Sequence, residues 1–179
     1  FLVYYDAKTK QIHTYDGRET APAAAKPDRF LNENGKALEF YDAVVGGKSV
    51  GVPGTVRMLE MAHQAYGKLP WQQLFQPAIQ LAQTGFPIAP RLHLLASQDK
   101  YLRMQAASRK YFYQSDGTAK PVGRCLVNRA YAEVLQRISD SGAKAFYQGE
   151  IAQDIVATVQ SATVPGDLTV EDLATYQAK

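Results

Sequence analysis

The hydrophobic period of this chain changes once, and that change limits what it can fold into. The opening residues Phe1-Leu2-Val3-Tyr4-Tyr5 are apolar and aromatic, Asp6 to Lys10 is polar, and Ile12 to Tyr15 returns to β-favouring residues. From Pro53 onward, apolar residues recur at i+3 and i+4 steps, as in helices with one buried stripe. The expected fold class is α+β, a mostly helical segment behind an N-terminal β-hairpin. Residues 1–179 are expected to form one partial domain. It would comprise a sheet hairpin at 1–20, a loop-rich connection at 21–52 and a helical layer at 53–179. A two-stranded hairpin is marginal alone, and the first strand carries apolar residues on both faces. It is therefore expected to be covered on both sides, within a larger sheet.

Punctuation residues divide the helical part. Pro53 suits a first helical turn and Gly67 a helix end, with Val56, Leu59, Ala62, His63 and Tyr66 at helical spacing between them. Trp71, Leu74, Phe75, Ala78, Ile79 and Ala82 continue one face, with a break expected at Pro77 and a stop at Gly85. Residues 24–32 are expected to hold one short helical turn, and residues 91–102 a helix. Residues 109–123 mix aromatics with turn residues, and their structure stays open. Asn128 reads as an N-cap for a helix to Asp140 that buries Tyr131, Val134, Leu135 and Ile138. A further helix follows Gly149, and Thr169 with Asp172 reads as a capping box.

Composition excludes several classes. Hydrophobic residues make up 46% of the 179, enough for one core of ordinary size. The net charge of +3 comes from scattered lysines and arginines, with no dense basic stripe of the kind nucleic acid requires. No run approaches the ~18 apolar residues of a membrane span. His13, His63 and His93 lie far apart with no cysteine pair near them, so no metal site is expected. Cys125 stands alone in an apolar stretch and reads as a buried, inert thiol. The aromatics Tyr111, Phe112 and Tyr113 read as core.

Two segments invite a binding role. Gly46-Gly47-Lys48-Ser49 resembles half of a phosphate loop, but the glycine that should lie five residues before Gly47 is Asp42. A turn-and-cap role for the stretch from Gly46 to Gly54 fits better. Asp16-Gly17-Arg18-Glu19-Thr20-Ala21-Pro22 is more informative, because a charged pair between a strand and a proline-bearing loop is a common place for binding residues. Arginine's planar fork matches a carboxylate bidentately. On a regular strand Arg18 and Glu19 could not both face one pocket. Spacing alone favours an ordinary structural ion pair for Arg18.

Several blocks, taken in order, resemble the γ-glutamyltransferases (γ-glutamyltranspeptidases). These are Asp16-Gly17-Arg18-Glu19-Thr20-Ala21-Pro22, Val50-Gly51-Val52-Pro53-Gly54-Thr55-Val56, Tyr66-Gly67-Lys68-Leu69-Pro70-Trp71 and Gln76-Pro77-Ala78-Ile79-Gln80-Leu81-Ala82. Phe146-Tyr147-Gln148-Gly149-Glu150-Ile151-Ala152 and the stretch from Leu168 to Tyr176 follow. The resemblance covers essentially the whole chain. It implies an internal part of the large subunit of an N-terminal-nucleophile hydrolase, built as an αββα sandwich and cut by autoprocessing from a proenzyme.

The same resemblance implies acyl transfer from γ-glutamyl amides, typically glutathione, through a γ-glutamyl-threonine acyl enzyme. Arg18 maps onto the arginine that grips the α-carboxylate of the γ-glutamyl group, and Glu19 onto a neighbouring substrate-binding position. No Thr-x-His block like the family's nucleophile motif occurs, so no catalytic residue is expected in this chain and the chain alone is expected to be inactive. No cofactor and no metal are implied. The implied partners are the γ-glutamyl substrate and the protein's own small subunit, with self-association of this chain expected from its open sheet edge. A periplasmic or secreted location is implied. Other readings are a cephalosporin (glutaryl) acylase, a capsule transpeptidase of the same superfamily, or a non-catalytic helical interaction domain.

Overall fold

The computed structural model describes residues 1–179. In chain order it contains strands β1 (Leu2–Asp6) and β2 (Gln11–Tyr15), then helices α1 (Phe40–Val44), α2 (Thr55–Tyr66) and α3 (Trp71–Thr84). Strand β3 (Phe86–Pro87), helix α4 (Pro90–Gln98), a 3-10 turn at Leu102–Met104, helix α5 (Ala106–Phe112) and strand β4 (Cys125–Leu126) follow. The chain closes with α6 (Arg129–Ser141), α7 (Lys144–Tyr147), α8 (Glu150–Gln160) and α9 (Val170–Thr175). The fold class is α+β, as the change of period predicts. The chain divides into two compact units, Phe1–Gln73 with Arg137–Lys179, and Leu74–Gln136.

In the first unit β1 and β2 pair antiparallel, Leu2 opposite Tyr15 and Asp6 opposite Gln11. Alternation places Tyr4 on one face, where its ring stacks on Tyr66 of α2 at 4.1 Å. The other face, with Val3, Tyr5 and Ile12, is exposed. The hairpin is thus covered on one side, not two: Tyr66 of α2 lies against the Tyr4 face, and the Val3, Tyr5 and Ile12 face is open. The segment at 24–32 forms turns instead of a helical turn, closed by a bridge between Leu31 and Ala37.

One apolar core holds this unit together. Val52, Tyr147, Ala152, Val156, Leu168 and Leu173 are buried there with Tyr176 against them. Each valine or leucine among them contributes about 1.5–3 kcal/mol on leaving water, before chain entropy is counted. Gly46 and Gly47 serve this packing: Gly46 has φ 117°, and a Cβ on Gly47 would lie 2.1 Å from the Val159 carbonyl oxygen. Close backbone approach, not a phosphate, is what this glycine pair accommodates. Helix α2 begins after Gly54, so Pro53 sits before the first turn and not within it.

The second unit has two smaller clusters. Ile79 and Ala82 of α3 pack on Ala132 of α6, and Ala96, Tyr113 and Ala119 form the other. Helix α3 runs unbroken through Pro77, where a break is expected from sequence. Burial of Ile79 and Ala82 beyond the proline offsets the one hydrogen bond it cannot donate. Strand β4 turns Leu126 inward and Cys125 outward, so the thiol is exposed where burial is expected. Tyr131 is also exposed, because the stripe of α6 runs through Ala132, Leu135 and Ile138 and leaves position 131 on its flank. Of the aromatic cluster, Tyr113 is the fully buried member, and its hydroxyl donates to the Ala96 carbonyl at 2.7 Å.

Candidate functional site

The segment after β2 leaves the sheet and runs extended beside the loop that opens α2. Thr20 and Val52 exchange both backbone hydrogen bonds, at 2.8 and 3.2 Å, which fixes the two segments together. The strand rule that separates Arg18 from Glu19 therefore does not apply, since β2 ends at Tyr15. The structure brings the two side chains together. Arg18 Nη2 lies 2.9 Å from Glu19 Oε1, and Nε donates to Oε2 at 3.3 Å. Both side chains are exposed, at 66% and 51%.

This pairing has a defined consequence. The Nε and Nη2 edge of the guanidinium is engaged by Glu19, and the edge formed by Nη1 and the second Nη2 hydrogen is open to a further acceptor. Glu19's carboxyl sits below the usual glutamate range. Hydrogen bonding from its own backbone N–H is the main cause; desolvation opposes it, and the Arg18 guanidinium adds to the lowering. Glu19 is thus a lasting counter-charge for Arg18 at neutral pH.

Arg18 and Glu19 line an open cavity of about 390 Å³ with Phe1, Gly17, Gly51, Pro53, Gly54 and Thr55. Small residues are required at several of these positions. A Cβ at Gly17 would lie 2.3 Å from that of Met58, and one at Gly51 would lie 2.9 Å from the Thr20 carbonyl oxygen and 3.0 Å from Cγ of Glu19. A Cβ at Gly54 would lie 2.0 Å from the Tyr176 hydroxyl. The cavity wall is therefore two backbones laid closely together, with one charged pair projecting from it.

Beneath the wall lie stacked aromatics. Tyr147 is fully buried; its hydroxyl donates to the Pro53 carbonyl at 2.8 Å and accepts from the Arg57 N–H at 3.2 Å. The Arg57 guanidinium covers the Tyr147 ring at 4.7 Å. The Tyr176 ring lies parallel to that of Tyr147, centroids 5.8 Å apart, and its hydroxyl donates to the Arg18 carbonyl at 3.0 Å. Burial raises the Tyr176 pKa, and the nearby charges of Asp16 and Glu19 add to it, so this donor keeps its proton. Burial likewise pushes Tyr147 up to about 12.

Sequence reasoning singles out Arg18 and Glu19 but gives Gly51, Pro53 and Gly54 only a turn-and-cap role. Close spacing of glycine and proline in Val50-Gly51-Val52-Pro53-Gly54-Thr55 is the signal that could have placed them on a binding wall. No local signal joins Tyr176 to Arg18, which are 158 positions apart. No group of three or more histidine, cysteine, aspartate or glutamate side chains is placed to hold a metal ion. No helix is long and apolar enough to cross a membrane.

Comparison with known proteins gives this geometry a family. The sequence profile described as Gamma-glutamyltranspeptidase matches residues 1–179. The glutathione hydrolase proenzyme of Bacillus subtilis (strain 168) is 39% identical over 176 residues, covering 98% of this chain and 30% of the relative. Among solved structures, gamma-glutamyltranspeptidase from Helicobacter pylori superposes with a TM-score of 0.92 at 32% identity, covering 99% of this chain and 50% of that one. The Pseudomonas nitroreducens gamma-glutamyltranspeptidase complexed with L-DON gives 0.87 at 38% identity, over 99% and 50%. The chain thus spans about 30% of the curated relative and half of each solved chain. It belongs to the gamma-glutamyltranspeptidase family of N-terminal-nucleophile hydrolases, as a part of the large subunit.

Proposed function

We infer that this chain forms the carboxylate-binding wall of a γ-glutamyl-transfer site in a glutathione hydrolase. The observation that carries the reading is the Arg18 guanidinium, projecting into an open cavity with one edge held by Glu19 and the other edge open. That open edge suits the α-carboxylate of a γ-glutamyl group. Glu19 holds the fork in orientation and, being acidic, attracts the substrate's ammonium. Glutathione and related γ-glutamyl amides carry both groups on one carbon.

The chemistry proposed for the complete protein is acyl transfer through a threonine that is not among these residues. Its hydroxyl adds to the γ-amide carbonyl and its own α-amine takes the proton. The amine product leaves carrying a proton, and the γ-glutamyl group is left as an ester. Water or an acceptor amine then takes the acyl group and restores the hydroxyl. Arg18 acts before and during these steps by fixing the far end of the donor, which sets the carbonyl's position. The threonine-bearing small subunit is the proposed partner. A periplasmic or secreted location is proposed on family resemblance.

Steady-state kinetics of the complete enzyme test the reading. Arg18→Ala is expected to raise the KM for γ-glutamyl p-nitroanilide on the order of tenfold or more, from the ~1.5–3 kcal/mol of a charge-assisted contact. Arg18→Lys should recover part of that loss, since a lysine supplies charge without the fork. An unchanged KM in Arg18→Ala would make this surface an interaction face instead. A preference for the glutaryl over the γ-glutamyl anilide would reassign the protein to the acylases. The isolated 179-residue chain should give no turnover above blank.

A further inference from the structure

The site's charged side chains are exposed, yet the main chain that bears them is fixed at almost every residue. Asp16 exchanges two backbone hydrogen bonds with Lys179, at 2.6 and 2.9 Å. Gly17 is buried against Met58, and the Arg18 N–H donates to Asp16 Oδ1 at 2.9 Å. Thr20 is bridged to Val52. The peptide between Arg18 and Glu19 is left, and Tyr176 is the side chain that reaches it from a distant part of the chain. The Tyr176 hydroxyl, 3.0 Å from the Arg18 carbonyl oxygen, fixes one side of that peptide. On the other side, the Glu19 N–H lies against Glu19's own carboxylate.

We propose that Tyr176 is a positioning residue for donor binding: by holding the Arg18 carbonyl it fixes the Arg18–Glu19 peptide, and through it the carboxylate that orients the guanidinium. The proposal rests on Arg18 being the ligand of the donor carboxylate. The peptide is one rigid plane, so its carbonyl and N–H turn together. With the hydroxyl gone, the carbonyl is free to rotate toward solvent, and the Glu19 N–H rotates with it. Glu19 then loses its backbone anchor, and the ion pair to Nε and Nη2 loosens. A bidentate grip on a planar carboxylate is sensitive to such a turn, because both N–H groups must aim at once.

Packing around Tyr176 is built for this contact. The ring is buried and stacked on Tyr147, which leaves the hydroxyl little freedom. Gly54 provides the notch that the hydroxyl occupies, since a Cβ there would lie 2.0 Å from it. The same Cβ would lie 2.5 Å from the Gly17 carbonyl oxygen, so glycine at 54 keeps the site's backbone and its anchor in contact.

A double-mutant cycle in the complete enzyme tests the proposal, with γ-glutamyl p-nitroanilide as donor. Tyr176→Phe keeps the stacked ring and removes only the hydroxyl. It is expected to raise donor KM about two- to tenfold, the range for one hydrogen bond, with kcat within about twofold. In an Arg18→Ala background the same substitution should change KM no further. An unchanged KM in Tyr176→Phe, or an equal rise with and without Arg18, overturns the positioning role. If Arg18→Ala itself leaves KM unchanged, it is the reading of the site that fails. Gly54→Ala reaches the contact from the opposite side, its Cβ crowding the hydroxyl and the ring carbon that bears it, and covers the case in which Tyr176→Phe does not fold. Its rise in KM should likewise vanish without Arg18, and a rise that persists overturns the proposal.

Discussion

At the scale of single residues, Tyr147 shows how the unit's stability and its site depend on the same atoms. Its hydroxyl satisfies the Pro53 carbonyl and the Arg57 N–H, and its ring carries the Tyr176 ring. Tyr147→Phe leaves both backbone groups without that partner in a buried place, at a cost of about 1–3 kcal/mol. For a chain of this length that lowers Tm by roughly 2–4 °C per kcal/mol, measurable by thermal melts. The folded pKa of about 12 lies above the ordinary tyrosine value of 10, so the folded state holds this proton more tightly. Its contribution is complete below pH 10 and is lost as pH climbs through about 12. Tyr147→Phe should therefore flatten the alkaline decline in stability. Glu19→Gln should leave Tm unchanged, because the pair is exposed, while raising donor KM. Sequence makes Arg18 and Glu19 legible only through resemblance to a family. Spacing alone misplaces them on opposite faces, because nothing local marks where β2 stops. Tyr176 and Gly54 are not legible as a pair at all, since hydrophobic period carries no information about which distant loops meet.

At the scale of elements, the punctuation residues are the most readable part of the chain. Asn128 caps α6, accepting from the Tyr131 N–H at 3.0 Å, and Gly142 follows its last turn with φ 73°. Thr169 and Asp172 form the expected capping box at α9. What sequence does not reveal is that the Asp172 carboxylate also accepts from the Ala23 N–H at 2.8 Å, tying α9 to the segment after the site. Thr169→Ala should cost about 1 kcal/mol, the usual loss of an N-cap. Asp172→Ala should cost more, because it also releases residue 23. Burial raises the Asp172 pKa, but hydrogen bonds from Ala23 and Thr169 outweigh it, and the net shift is downward. The contribution of Asp172 is thus present above the ordinary aspartate value of 3.8 and lost as pH falls through the lower folded value. Urea midpoints across the acid range, compared with Asp172→Ala, check that sign. Pro77 is the converse case, in which a strong local rule loses to packing. Because α3 continues past it, Pro77→Ala restores a donor to an intact helix and should raise stability, by up to about 3 kcal/mol.

At the scale of the whole molecule, the hairpin sets the main liability. Phe1, Val3, Tyr5 and Ile12 are 80%, 69%, 57% and 66% exposed. Tyr5 and Ile12 are cross-strand partners, so their side chains share one face, and alternation adds Val3 to it. The opposite face is occupied by the stack of Tyr4 on Tyr66, so rotating the hairpin would only exchange one exposed set for another. A contiguous apolar face on a two-stranded sheet, with an open backbone edge on each strand, is the arrangement that recruits further strands. In the complete protein we propose that the remainder of the polypeptide meets this face. The 179-residue chain by itself should instead pair with a second copy, burying Val3, Tyr5 and Ile12 against their equivalents. Light scattering should show a mass that rises with concentration toward twice the 19.8 kDa of the chain. Val3→Lys places a charge at the centre of the face without touching the backbone pairing of Val3 with Thr14, and should restore the monomer. A monomer at every concentration in the unaltered chain, with the hairpin amides protected from exchange, would show that the hairpin needs no partner.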